Sequence, residues 1–239
     1  MGKRNKKGGD GGLPGWFATF SDMMTLLFAF FVLLFSLSTI DPVKVSAFSE
    51  GKKGGDAIPD PSVKAKLDLA EIKQEFEKMV EELSMGDSAT VSTEPRGVAL
   101  EIDGDLCFET SQVEMKPQLI EALDRSIEQI LTASNDFRPI LVEGHTDSDR
   151  MQGRMARMYP TNWELSSSRA SEVVKYLISK GVNSGRLSAG GYADKWPYGI
   201  TWQQVRRGEV TQELIDAMNA TKDLKRKNRR IKIIIGPHY

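Results

Sequence analysis

The chain has 239 residues, and its 32 basic and 33 acidic side chains leave a net charge of -1. That balance lacks the basic excess of a nucleic-acid-binding protein. The single cysteine, Cys107, cannot form an internal disulfide, so any folded domain depends on its core alone.

Residues 1–15 form a short tail carrying Lys3, Arg4, Lys6 and Lys7. An apolar span follows, predicted as a transmembrane helix over 16–40, and its core from Trp16 to Leu37 is long enough to cross a bilayer. The positive-inside rule places the tail in the cytoplasm and the C-terminal part outside, with Trp16, Phe17 and Phe20 at the inner interface. The span is too long for a cleaved signal peptide and lacks a clear small-residue cleavage site. Asp22 is its only charged residue. A carboxylate at such depth costs roughly 2.5–3.5 kcal/mol, so it faces a partner or a water-filled path. Ser21 and Thr25 bring hydroxyls beside it, making Asp22, Ser21 and Thr25 the candidate ion-binding group. The competing reading pairs Asp22 with a polar group on a neighbouring helix and gives it a role in assembly only.

Asp41-Pro42 ends the apolar helix. Residues 41–60 read as a linker that begins with a short amphipathic piece carrying Val43, Ala47 and Phe48. A linker helix is predicted over 61–86, capped by Asp60, with Pro61 at its first position and Gly86 as its stop. Leu69, Ile72, Phe76, Met79 and Leu83 form a narrow seam that suits either a coiled coil or packing on the following domain's own sheet.

Residues 87–239 alternate strands and helices. A hairpin is predicted around Arg96-Gly97, with Val98, Leu100 and Ile102 on one face. A helix over Pro117–Ser134 follows, with Ile120, Leu123, Ile127, Ile130 and Leu131 at helical spacing. Then come a buried strand over Pro139–Gly144, a helix over Glu164–Lys180 closed by Gly181, and strands over Arg186–Gly191 and Arg230–Ile235. This order predicts an α/β sandwich with helices on one face of a mixed sheet.

His145-Thr146-Asp147 ends the Pro139 strand, and Asn162 stands as N-cap candidate before Arg169. Free N–H groups at that helix start, with Arg169 two turns in, suit a carboxylate, while Asp147 suits an ammonium. The pair matches a ligand with both groups on one carbon, or Asp147 and Arg169 simply pair with each other at the surface. Enzyme chemistry is not expected. The two histidines and Cys107 show neither zinc spacing nor a nucleophile arrangement, and no metal or cofactor is implied. Asp103 and Asp105, flanking Gly104, read as a solvated turn. The run Lys222–Arg230 reads as a solvated helix end leading into an edge strand.

EGHTD, N-W-E-L-S-x-x-R-A, L-S-A-G-G-Y and K-N-R-R-I-K-I, in that order, resemble the OmpA-like peptidoglycan-binding domain. The resemblance implies that Asp147 and Arg169 hold the free amine and carboxylate of diaminopimelate, supported by Thr146, Asn162 and Arg229. Two enlargements depart from the simpler OmpA-like pattern: Ser148–Thr161, and Trp196–Leu224 with a helix near Thr211–Thr221. The membrane segment W-F-A-T-F-S-D-M-M-T-L-L-F-A-F-F-V-L-L-F-S is similar to the MotB family of flagellar stator subunits. That similarity implies a homodimer inside a MotA ring acting on the rotor protein FliG, in the inner membrane, with Asp22 carrying H⁺ or Na⁺. It also implies that Val43, Ala47 and Phe48 belong to a plug. The same Asp would serve another ion-driven transducer of the ExbD and TolR kind or a defence-system motor, and a passive wall tether would need no ion flow.

Overall fold

The computed structural model describes residues 15–37, 67–109, 112–131, 136–153 and 155–237. The chain divides into two units, residues 1–40 and 41–239. Asp60, Pro61, Val43, Ala47 and Phe48 lie outside the described residues.

In the first unit, α1 spans Gly15–Leu37, 23 residues without a basic residue and with Asp22 as its one acid. At 1.5 Å per residue it is about 34 Å long, matching a hydrocarbon core of about 30 Å. Its large apolar side chains from Trp16 to Leu33 are exposed, so this helix makes no core of its own.

The second unit begins with α2 (Leu69–Glu82). Asp68 caps it, and Glu71 returns a bond to the Asp68 N–H at 2.7 Å. The seam Leu69, Ile72, Phe76 and Met79 is buried in the core of the same unit, against β1 (Ala89–Glu94) and β2 (Gly97–Asp103). Of the two readings of that seam, packing on the domain's own sheet is the one that forms. The helix gives way at Leu83, and Ser84 takes φ 53°, two residues before the expected stop at Gly86.

β1 and β2 form a hairpin in which Glu94 pairs with Gly97. Gly97 has φ +138°, and a Cβ there would overlap the Ile235 carbonyl. A short α3 (Gly104–Cys107) leads towards α4 (Pro117–Ser126), which runs into a π-helical turn over Ile127–Leu131. The buried face of α4 is Leu119, Ala122, Leu123 and Ser126, so its inner line starts one residue earlier than the expected Ile120. β3 (Ile140–His145), α5 (Met155–Met158), α6 (Asn162–Ser179) and β4 (Leu187–Gly191) follow. Three short helices, α7 (Trp202–Arg206), α8 (Gln212–Ala217) and α9 (Lys222–Asn228), precede β5 (Arg230–Ile235).

The sheet order is β1-β2-β5-β3-β4. β3 and β4 pair in parallel, as the helical crossover through α6 requires, and the other pairs are antiparallel. β5 is therefore a central strand, not the expected edge. One sheet face presents Val98, Leu100, Ile102, Val142, Ile231 and Ile233 to α2, α4 and α6, which bury it. This is the predicted mixed sheet with helices on one side.

The other face is charged and yet covered. Alternation along the strands puts Glu94, Glu101, Glu143, His145, Arg230 and Lys232 there. Arg96 binds Glu143 at 2.5 Å and Glu94 at 2.9 Å; Arg230 binds Glu101 at 2.9 Å; Lys232 reaches Glu94 and Glu101 at 3.2 and 3.1 Å. The buried Trp196 ring lies under the Arg96 and Lys232 cations at 4.9 and 5.6 Å.

His145 is buried in this layer, stacked on Tyr192 at 5.4 Å and edge-on to Trp196. Neither ring nitrogen has a hydrogen-bond partner among the described residues, and Glu143 stands 3.7 Å away, too far for a hydrogen bond. Burial, then Arg230, push its pKa down to about 4, against the opposing pull of Glu143. The native state therefore excludes a proton that the unfolded chain accepts near pH 6.5. Stability from this group is present above pH 6.5 and is lost as pH falls towards 4, by at most about 3 kcal/mol for such a shift. The urea midpoint of the chain is expected to drop between pH 7 and pH 4.5, and the drop is expected to shrink in His145→Phe. Identical pH slopes for the two proteins would contradict this account of His145.

Candidate functional site

On α1, Asp22 is exposed and Ser21 is half-buried. The Thr25 hydroxyl donates to the Ser21 carbonyl at 2.8 Å, so the proton of that hydroxyl is engaged within the helix while its oxygen lone pairs stay free. Trp16 packs edge-on against Phe17 and Phe20, with ring centres 6.1 and 6.3 Å apart, forming an aromatic cluster one turn before the acid.

In the second unit, a cleft of about 260 Å³ opens where β3 ends. Its lining includes Thr146, Asp147, Arg169 and Arg229, so four of the five residues expected to bind a wall peptide meet in one place. Its size suits one amino-acid side chain with its charged ends better than a larger ligand.

The backbone explains how Thr146 and Asp147 reach it. The Thr146 N–H donates to Ala193 O at 2.9 Å, and Tyr192 N–H donates to Gly144 O at 3.0 Å, carrying the β3–β4 register one step beyond the sheet. Gly144 allows α6 to approach β3, since a Cβ there would overlap the Ser166 carbonyl oxygen. The same helix carries Leu165 and Arg169, one turn apart, to the cleft wall.

The N-cap of α6 is Thr161 and not Asn162. Thr161 accepts from the Trp163 N–H at 3.2 Å, and Glu164 accepts from the Thr161 N–H at 2.8 Å. This capping box already serves the helix start, so the anion site expected from its free N–H groups does not form there. Asn162 instead donates from Nδ2 to the carbonyls of Asp147 and Asp149 at 2.9 and 3.0 Å. It shapes the loop and does not line the cleft.

Asp147 and Arg169 do not pair with each other. Asp147 Oδ2 accepts from Arg229 Nη1 at 2.7 Å, and Asp147 Oδ1 accepts from the Asp149 N–H at 3.1 Å. Arg169 donates from Nε to Gln112 O at 2.8 Å and from Nη2 to Glu109 O at 3.2 Å, with its guanidinium 4.9 Å from the Phe108 ring centre. It meets carbonyl dipoles and an aromatic face and, among the described residues, forms no ion pair with a carboxylate. Burial lowers its pKa to about 10, which leaves it charged at neutral pH. The buried Thr146 hydroxyl, also on the cleft wall, has no hydrogen-bond partner among the described residues. A cation without a counter-ion and an unused hydroxyl, opposite a carboxylate, form a site complementary to a zwitterion.

Several contributors were not expected from sequence. Asp105 takes the rest of the Arg229 guanidinium, with Nε at 3.3 Å and Nη2 at 3.1 and 3.2 Å. The β2–β5 register pairs Asp103 with Arg230, which sets Asp105 beside Arg229 just past the strand ends. The second enlarged segment also acts here. Asn219, held by Asn228 at 3.0 Å, accepts from the Ser148 N–H at 3.1 Å, and Lys225 binds Asp149 at 2.6 Å. The segment 148–149 is therefore clamped from α6 on one side and from α8–α9 on the other. No local sequence signal marks Asn219, because its partner is 71 residues away.

Residues 2–51 match the family described as membrane MotB of the proton-channel complex MotA/MotB, and residues 107–210 match the OmpA family. The chain is 30% identical over 235 residues to the uncharacterized protein YtxE of Bacillus subtilis, covering 92% of this chain and 87% of that one. It is 23% identical to motility protein B of the same organism, over 93% of this chain and 90% of the relative. Among solved structures, a MotB-like protein from Desulfovibrio vulgaris superposes with a TM-score of 0.56 at 16% identity, covering 71% of this chain and 94% of that one. That likeness supports the fold.

Proposed function

Because the chain belongs to the MotB family, with an OmpA-like domain following its membrane segment, we propose that it is an ion-conducting stator subunit anchored to the cell wall. In this reading α1 crosses the inner membrane from a cytoplasmic N-terminus, paired with a second copy inside a ring of MotA subunits. Asp22 takes up a monovalent cation, a proton or sodium, from the outer side and releases it inward. Its charge state biases the surrounding ring, which passes torque to FliG. The extracytoplasmic domain binds the diaminopimelate residue of peptidoglycan, with Asp147 facing the amine and Arg169 and Thr146 facing the carboxylate. Val43, Ala47 and Phe48 act as the plug. The chain performs no catalysis in this scheme.

The observation that carries the reading is the coexistence of two features in one chain. An apolar helix holds a single acid, and a separate domain holds a charged cleft whose Arg169 has no carboxylate partner among the described residues. Ion flow without a fixed point would turn the stator itself, and a wall anchor without an ion carrier would have no use for a carboxylate in the membrane. The anchor is tested by co-sedimentation of the detergent-solubilised full chain with purified peptidoglycan. Asp147→Asn and Arg169→Gln are each expected to weaken binding about tenfold or more, the worth of a charge-assisted hydrogen bond. Unchanged sedimentation of both variants would remove the anchor from the scheme. Swimming speed measured against sodium concentration at constant pH and membrane potential separates the two ions.

A further inference from the structure

Charge pairing around the cleft leaves one corner with an odd count. Glu109 has Lys116 at 3.2 Å, and Asp149 has Lys225 at 2.6 Å. Asp105 and Asp147, however, share the single guanidinium of Arg229. Two carboxylates and one cation sum to one negative charge. Arg150 and Arg169 also line the cleft, and among the described residues no carboxylate forms an ion pair with Arg169.

The division of Arg229 is unequal. Asp105 receives Nε at 3.3 Å and Nη2 at 3.1 and 3.2 Å, while Asp147 receives Nη1 alone, at 2.7 Å. Asp147 is the more buried of the two acids, where water screens charge least, and Asp105 stands at the exposed rim. Burial opposes the Arg229 charge, but its bonds to Asp147 and its attraction to Asp105 outweigh that and raise its pKa, so this cation stays on.

We propose that Asp105 is a positioning residue for ammonium recognition: it holds Nε and Nη2 of Arg229 at the rim, so that one guanidinium charge is divided between two carboxylates and Asp147 is not fully neutralised. Without Asp105, Arg229 and Asp147 cancel, and the corner has no net charge with which to attract an amine. With Asp105, the corner lacks one positive charge, and a ligand ammonium supplies it. This inference rests on the reading of the cleft as a site for an amine and a carboxylate.

The test is calorimetric titration of the full chain in detergent micelles with two peptides. One is the tripeptide L-Ala-γ-D-Glu-meso-diaminopimelate, and the other is the same peptide with its side-chain amine acetylated. Asp105→Asn is expected to weaken binding of the free-amine peptide about tenfold or more, the scale of one lost charge-assisted contact. Binding of the acetylated peptide is expected to stay as in the unsubstituted chain. Asp105→Glu, which keeps the charge, is expected to retain preference for the free amine. The double variant Asp105→Asn/Arg229→Gln is expected to regain it, since it restores the single negative charge. A merely structural role for Asp105 would lower both peptides together and would not be rescued by removing Arg229; either result overturns the proposal. A parent chain that binds the two peptides equally would overturn the amine-and-carboxylate reading of the cleft itself.

Discussion

Cells carrying Asp22→Asn are expected to stop swimming completely while keeping the protein at normal level in the membrane. Asn matches Asp in size and retains polarity, so the helix and its neighbours need not repack. In the proposed scheme, what disappears is the ability to alternate between a charged and a neutral or ion-paired state. One elementary charge crossing 100 mV is worth about 2.3 kcal/mol, and at about 1.4 kcal/mol per factor of ten this shifts a two-state equilibrium roughly fifty-fold. A permanently neutral side chain forfeits all of that bias. Tethered-cell rotation, with an immunoblot of the membrane fraction, measures both halves of the expectation. Rotation of the Asp22→Asn cells at any appreciable speed would sink the ion-carrier role while leaving the wall-binding cleft untouched.

Gly144→Ala is expected to produce a large loss of stability in the second unit. A methyl group there would overlap the Ser166 carbonyl oxygen and stand 2.9 Å from its carbon, against helix backbone that no rotamer change can move aside. Overpacking usually costs about 1–3 kcal/mol, and a rigid obstacle places this site at or above the top of that range. The strain also falls between β3, which leads to Asp147, and α6, which carries Arg169. Peptide binding should therefore fall together with the urea midpoint. Gly86→Ala provides the comparison, because a Cβ there meets nothing within 4 Å. Equal midpoints for the two variants would show that β3 and α6 are not in the close contact described.

The elements that sequence reading identified were those with one apolar face and an ordinary boundary. Val98, Leu100 and Ile102 alternate, and α6 ends beside Gly181, which takes φ +94°. The candidate residues Thr146, Asp147, Arg169 and Arg229 stand in ordered motifs, and they line one cleft. What escaped was long-range. Glu101, Glu143 and Lys232 sit at alternate strand positions and would ordinarily point to water, but they pair with opposite charges there, and Trp196 from an enlarged segment packs on Lys232 and Arg96. Asp105 looked like a turn residue because its partner lies 124 positions away. The two readings of the Leu69–Met79 seam were separated by which surface buries it, and spacing alone does not encode that.

Strand order makes the sheet depend on its most distant segment. β5, last in chain order among the described strands, lies between β2 and β3. Until Arg230–Ile235 is available, the hairpin and the β3–β4 pair have no common neighbour, and the inner face of Ile231, Ile233 and Ile235 is missing. Non-local pairing of this kind is slow and waits for loop closure. The five-stranded sheet is therefore completed only when β5 pairs with β2 on one side and β3 on the other, so the two halves of the inner face are joined by its isoleucines.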